Sequence, residues 1–370
     1  MMRIAIVGCG IVGAAIAYEL SRVSGLEITV FETENPASGS TGAALGVLMG
    51  AISQKKPKTR AWKLREASLR RYETLIPELE AKLDRPIPRN DNGVLKLCFP
   101  GENLEKWEKL AQVRREQGFP LEIWSPEAVK SRYPKIETAA IAAAVYSPRD
   151  RQIQPIPLAR ALVEAARGHG VRFVFGATVM EAEIETGETR CCRTLIYKDA
   201  NDETRQHSTD WVVVSAGLGS TPFSQRLREP VTIQPVLGQA IELAIALPSE
   251  YPVVTANDVH LVSAGEGRAW LGATVEFPDA KGYVIPDPRG LQMLKSEAMR
   301  FYPELVEAAI ARQWQGLRPR PVDRCAPVIG TLTGYDNVVL ATGHYRNGVL
   351  LAPATAEAVC MLLLNNHSAI

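Results

Sequence analysis

Apolar positions along this chain fall into short buried runs separated by glycine turns and, elsewhere, into stripes of helical period. Ile4-Ala-Ile-Val7 is continuously apolar, so Arg3 to Val7 predicts a parallel strand covered on both faces. Gly8-Cys-Gly-Ile-Val-Gly13 predicts a tight turn, Ala14 to Arg22 a helix with its alanines toward a sheet, and Glu27 to Phe31 a second strand. Trp62 to Leu83 carries Leu64, Ala67, Leu69, Leu75 and Leu79 among charges, and Leu104 to Gln117 repeats the pattern, which predicts two surface helices. Between them Gly93 to Phe99 alternates like a half-buried strand. Pro155 to Arg167 predicts a helix, Val171 to Phe175 a strand, Val179 a place in the next strand, and Trp211 to Gly217 a buried strand ending in small residues. Pro235 to Leu243, Val259 to Val262 and Ala269 to Thr274 read as antiparallel strands. Asn337 to Gly343 predicts a last buried strand, His344 to Gly348 a polar turn, and Ala354 to Leu364 a closing helix.

These elements define an α/β chain in which a Rossmann-like domain is interleaved with a second, α+β domain on an antiparallel or mixed sheet. The boundaries expected are 1–50, 150–225 and 325–370 for the first, and 51–149 and 226–324 for the second. A length of 370 residues suits two domains. Lys plus Arg number 42 against 41 Asp plus Glu, a net charge of +1 that argues against nucleic acid as partner. Cys9, Cys98, Cys191, Cys192, Cys325 and Cys360 contain no C-x-x-C pair, and the five histidines are scattered, so we expect reduced thiols, a cytoplasmic location and no metal site. The apolar run Val359 to Leu364 ends at Asn365 and Asn366, short of the roughly 18 residues of a membrane span. The apolar N-terminus with its single charge at Arg3 superficially resembles a secretory signal, but Gly8, Gly10 and Gly13 interrupt it.

Gly8-x-Gly10-x-x-Gly13, placed between strand and helix, has the dinucleotide-binding spacing: Gly8 permits the turn, Gly10 lets a pyrophosphate approach the backbone, and Gly13 allows helix and strand to pack closely. Glu32, nineteen residues after Gly13, is placed to accept from ribose hydroxyls and to repel a 2′-phosphate, which disfavours NADP but leaves NAD and FAD open. Pro36 to Gly46 is a small, hydroxyl-rich stretch in which Ser40 and Thr41 could line a diphosphate, and Gly217 allows a flat ligand to lie near the backbone. Gly316 to Gly330 packs prolines with Arg318, Arg320 and Arg324, a stiff loop in which an arginine is held in place. Taken singly, each of these arginines is more simply a solvated loop charge.

With both ends in view, the chain resembles the D-amino-acid-oxidase-like FAD superfamily, and within it the glycine oxidases associated with thiamine biosynthesis. The resemblance rests on Gly8-x-Gly10-x-x-Gly13 with Glu32, on Ser40-Thr-Gly-Ala-Ala-Leu-Gly46, on Gly316-Leu-Arg-Pro319 and, most specifically, on Gly343-His-Tyr-Arg-Asn-Gly-Val-Leu-Leu-Ala-Pro353. It implies noncovalent FAD held by Ile11, Val12, Glu32, Thr33, Ser40, Thr41, Leu45, Gly46, Val47, Val179 and the turn His344, Tyr345, Arg346, Asn347, Gly348, Val349, Leu350. It also implies that Arg318 pairs with a substrate carboxylate, that Arg346 lies near substrate and flavin, and that a helix N-terminus after the turn stabilises the anionic reduced ring. The implied reaction is oxidative deamination of glycine or another small amine or D-amino acid, with hydride passing from Cα to flavin N5 and O2 reoxidising the flavin to give H2O2.

The sequence departs from that pattern at His260, where glycine oxidases carry a tyrosine over the substrate; a histidine there could bind a carboxylate or titrate near neutrality. Val275 stands where a bulkier apolar residue occurs, and Cys325 lies several residues beyond the place of a flavin-linking cysteine. Three alternatives remain open at this stage: a dehydrogenase passing electrons to a quinone or carrier, a dinucleotide-binding protein without turnover, and an NAD dehydrogenase. Homo-oligomerisation is open as well.

Overall fold

The computed structural model describes residues 1–367, with side chains through Leu364. A six-stranded sheet runs in the order Val328–Thr331, Val338–Thr342, Trp211–Val214, Met2–Val7, Leu26–Glu32, Arg172–Phe175, parallel throughout except at the Val328–Thr331 edge. The first strand shows why its run of apolar residues is unbroken. Met2, Ile4 and Ile6 join one core with the helices Ile11–Ser21, Pro155–Arg167 and Gly348–His367, while Ala5 and Val7 join another under the three-stranded antiparallel sheet Thr178–Thr186, Arg190–Lys198, Thr204–Ser208. Alternate residues of one strand therefore bury against opposite layers.

The second large element is an eight-stranded sheet, ordered Ala309–Pro321, Ile233–Ala244, Arg268–Gly272, Val259–Gly265, Val253–Ala256, Val94–Cys98, Ala143–Ser147, Glu122–Trp124. All its neighbours are antiparallel except Val253–Ala256 with Val94–Cys98. Asn257 and Asp258, both at positive φ (47° and 65°), make a two-residue turn whose twist suits the hairpin on either side. Leu294, Ala298, Phe301 and Tyr302, from the helix Pro288–Met299 and the turn after it, cover one face with Ile241, Leu261 and Leu271.

Three expectations are corrected. Gly316–Pro321 is no loop: Arg318 belongs to the 13-residue edge strand Ala309–Pro321, opposite Val236 in the ladder, and prolines are tolerated because an edge strand leaves one row of backbone groups unpaired. The closing helix starts at Gly348, six residues before Ala354, with Pro353 inside it. Proline cannot donate to the carbonyl four residues back, that of Val349; the buried Tyr72 hydroxyl donates to it instead, at 2.5 Å. Finally, the helix Arg60–Leu83 is far from a purely surface element, since Trp62, Arg65, Ser68, Leu69 and Tyr72 are buried along it.

The stretch Tyr345–Leu364 is long and apolar enough, by length and composition, to cross a membrane, which the run ending at Asn365 did not suggest. Its Leu350, Leu351, Ala352, Ala356, Val359 and Leu363 are buried in the core shared with the helices Ile11–Ser21 and Arg60–Leu83, the arrangement of a central helix of a folded domain.

Candidate active site

The glycine loop is built by close contact. A Cβ on Gly13 would stand 2.0 Å from the Gly8 carbonyl oxygen, and one on Gly8 2.7 Å from the Ala216 backbone, so strand, turn and helix pack together only with glycine at both positions. Gly8 also takes φ +100°, in the left-handed region. At Gly10 a Cβ would meet only the Thr41 hydroxyl, at 3.2 Å; that hydroxyl accepts from the Ile11 N–H at 3.0 Å, at the N-terminus of the helix Ile11–Ser21. Glu32 ends the second strand with Oε2 accepting from the Cys9 N–H at 2.6 Å and Oε1 from the Thr33 hydroxyl at 3.0 Å and the Glu34 N–H at 3.2 Å. A carboxylate offers about four acceptor sites, and three are taken, so capacity remains for one ribose hydroxyl. Gly217, at φ +56°, has nothing within 4 Å of where its Cβ would be. Val179 is buried two residues beyond Ala177, whose N–H donates to the Glu32 carbonyl at 2.9 Å.

The hydroxyl-rich stretch joins this loop to the large sheet. Ser40 Oγ donates to the Leu317 carbonyl at 2.6 Å, next to Arg318, and Trp314 Nε1 donates to the Ala43 carbonyl at 3.0 Å. Gln152 Nε2 donates to the Leu45 carbonyl at 2.9 Å, and the Gly46 carbonyl accepts from Ile153 N–H at 3.1 Å. Val47 pairs with Gln152. The Leu45 side chain reaches Gly272, which sits opposite His260 in the ladder.

Arg318, His260 and Arg346 converge from three elements. The Arg318 guanidinium lies on Gly238 in the neighbouring strand, where a Cβ would stand 2.1 Å from Nη2, and Nη1 donates to the Leu237 carbonyl at 2.8 Å. No ion pair engages it among the described residues, and burial, then the charge of Arg346, lowers its pKa. Arg346 reaches out from the 3-10 turn Tyr345–Asn347 to Asp258, 3.2 Å away in the hairpin turn. His260 has a buried Nδ1 without a partner, and burial, followed by Arg346, pushes its pKa down to about 4. The expected titration near neutrality is thereby corrected: desolvation and two cations keep the ring neutral there.

The turn His344–Gly348 is fixed from behind. His344 is buried, with Nε2 2.9 Å from the Thr355 hydroxyl, and burial, then Arg60, pushes its pKa down to about 3. Tyr345 takes φ +54°, and Asn347 Oδ1 accepts from Arg65 Nη2 at 3.3 Å. Gly348 opens the long helix, whose buried Val349 and Leu350 follow at once.

Residues 3–362 match the family described as FAD dependent oxidoreductase (DAO). The chain belongs to this family. It is 28% identical to the glycine oxidase of Bacillus licheniformis over 364 residues, covering 98% of this chain and 92% of that protein. It is also 28% identical to the bifunctional protein ThiO/ThiG of Trichormus variabilis, spanning 99% of this chain but 53% of that longer protein. Among solved structures, glycine oxidase from Geobacillus kaustophilus superposes with a TM-score of 0.84 at 25% identity, over 99% of this chain and 95% of that one. L-proline dehydrogenase from P. horikoshii shares the fold, with a TM-score of 0.81 at 21% identity over 98% of this chain and 93% of its own.

An FAD dependent oxidoreductase needs a cradle for a diphosphate, an acceptor for a ribose and a flat slot beside a substrate. The open faces of Gly10 and Gly217, the helix N-terminus at Ile11 and the Glu32 carboxylate fit the first two. Among the described residues, the His260 Nδ1 without a hydrogen-bond partner and the Arg318 guanidinium without an ion pair fit the third. Cys325 is exposed. Sequence reading missed Arg65 and Asp150. Asp150 is buried and accepts from the N–H groups of Gly50, Ala51 and Ile52 at 2.7 to 2.8 Å, so it pins the segment that follows Val47. Its signal in sequence is weak, a single acid in the polar stretch before Pro155.

Proposed function

We propose that this FAD dependent oxidoreductase oxidises a small amino acid or amine such as glycine, with Arg318 binding the carboxylate. One observation carries the reading: a half-buried guanidinium, pressed onto Gly238 and without a carboxylate partner among the described residues, beside a neutral histidine. Such a cation is incompletely compensated until an anion arrives, and a planar fork held in one orientation binds a carboxylate in one pose. The relatives named glycine oxidase support this substrate class.

In this reading Ile11, Val12, Glu32, Thr33, Ser40, Thr41, Leu45, Gly46, Val47, Val179, Gly217 and the turn His344 to Leu350 hold FAD without a covalent bond. When bound, FAD would supply the acceptor for a hydride from the substrate Cα, leaving the substrate as an imine, and O2 would take up the two electrons to give H2O2. Arg318 fixes the carboxylate so that the Cα–H is directed at the flavin, which removes much of the orientational part of the barrier. Neutral His260 adds no third positive charge beside Arg318 and Arg346. Arg346, paired with Asp258 in the hairpin turn, adds a second positive charge near Arg318. The glycine loop and the six-stranded sheet would form the FAD domain (1–50, 150–225, 325–370), and the eight-stranded sheet the substrate domain (51–149, 226–324); each strand of the two sheets falls in its own set of segments. Six free cysteines suit a cytoplasmic setting.

The test is a series of glycine, sarcosine and D-amino acids mixed anaerobically with the purified yellow protein, with H2O2 measured in air. Bleaching by at least one small amine together with stoichiometric peroxide supports the proposal. Bleaching without peroxide would assign a different electron acceptor, and a flavin that no amine bleaches would overturn the substrate class.

A further inference from the structure

Arg65 is an anomaly of the helix Arg60–Leu83. It is 7% exposed, and its Nε is buried with no partner. Nη1 donates to the Ala61 carbonyl one turn back at 2.8 Å, and Nη2 donates to Asn347 Oδ1 at 3.3 Å. No ion pair engages it among the described residues. The opposite charge whose field it feels is Asp150, but that carboxylate is already occupied by the N–H groups of Gly50, Ala51 and Ile52 and by the Ser147 hydroxyl at 2.8 Å. A buried cation with no touching counter-ion is costly, so an uncompensated arginine in a core asks for an explanation beyond packing. Among the described residues, its one long-range side-chain hydrogen bond is to Asn347 in the turn His344–Gly348.

We propose that Arg65 is a positioning residue for the flavin: anchored to Asn347, it holds a fixed positive charge beneath the turn and, with the helix N-terminus at Gly348, favours the anionic reduced form of the ring. This inference rests on the reading that the turn holds the flavin. Two features place the charge usefully. Desolvation weakens screening by water, so the field of the guanidinium extends further than that of a surface arginine. The adjoining helix is 20 residues long and begins at Gly348, so the positive end of its dipole adds to the same effect. Asn347 fixes the distance, since its Oδ1 is held by Arg65 while its backbone N–H donates to the His344 carbonyl at 3.0 Å.

The experiment measures the flavin midpoint potential and the dissociation constant of sulfite, a small nucleophile that forms an anionic flavin adduct, in holoenzyme of the wild type and of Arg65→Met, Arg65→Gln and Arg65→Lys. The neutral variants are expected to have lower potentials and at least tenfold weaker sulfite binding, while Arg65→Lys retains most of both. A merely structural arginine would alter melting temperature and leave these two quantities in place. The inference is overturned if the neutral variants keep wild-type potential and sulfite affinity, if the lysine variant falls as far as the methionine variant, or if both neutral variants lose FAD altogether while the lysine variant keeps it with an altered potential. A wild-type chain that binds no FAD would sink the underlying reading of the turn, whereas a normal Arg65 effect in a protein that no amine bleaches would sink only the proposed substrate.

Discussion

The guanidinium of Arg318 rests on the bare Cα of Gly238, so close that a single methyl there would stand 2.1 Å from Nη2. In the ladder Arg318 lies opposite Val236, and Gly238 is the diagonal neighbour on the same face. Gly238→Ala should therefore displace the guanidinium without removing it. We expect KM for the carboxylate substrate to rise roughly 10-fold or more, with FAD content unchanged, because a misplaced fork forfeits a charge-assisted bond. Steady-state kinetics beside a flavin absorbance ratio checks this; an unchanged KM would show that the guanidinium pose is unimportant.

His260 and His344 are pushed down to about 4 and about 3, against roughly 6.5 in an unfolded chain. Between those values the unfolded state binds protons that the fold excludes, so both contribute stability above about pH 6.5 that is lost as pH falls toward 4. Melting temperature is expected to decline from pH 7 to pH 5, and the slope to flatten in the double variant His260→Gln/His344→Gln. For catalysis the same shift means that His260 stays neutral across pH 6 to 8. The pH profile of kcat/KM for His260→Gln should keep the wild-type shape over that range even where its magnitude drops.

Tyr72 supplies the bond that Pro353 cannot make to the Val349 carbonyl. Tyr72→Phe leaves that buried oxygen without a partner, at a cost of about 1–3 kcal/mol. A lowered melting temperature with retained FAD is the expected outcome; an unchanged melting temperature would mean that the carbonyl finds water or another donor.

Much of this was legible in the chain. The unit from Met2 to Glu32 follows from unbroken apolar residues, three glycines and a terminal acid, all local signals. The helix Pro155–Arg167 and the strands flanking the Asn257-Asp258 turn are equally local. What escaped was set by distant partners. Arg318 looked like part of a loop because prolines usually end strands, and only its position at a sheet edge reconciles the two. The donor that replaces the N–H missing at Pro353 of the closing helix is Tyr72, 277 residues from Val349 in sequence. The charge state of His260 is set first by burial and then by Arg346 and Arg318, all of which need the folded chain, and Arg65 reads as one more charge on an amphipathic face until Asn347 meets it.

The most direct test of the account is the anaerobic rate of flavin bleaching as a function of glycine concentration, or of whichever amine bleaches best, in wild type and Arg318→Ala side by side. Loss of a carboxylate clamp amounts to about 2–4 kcal/mol, so half-saturation should shift upward roughly 30- to 1,000-fold while the flavin spectrum of the resting protein is preserved. Equal half-saturation in the two proteins would contradict the assignment of Arg318 and, with it, the proposed way of holding the substrate.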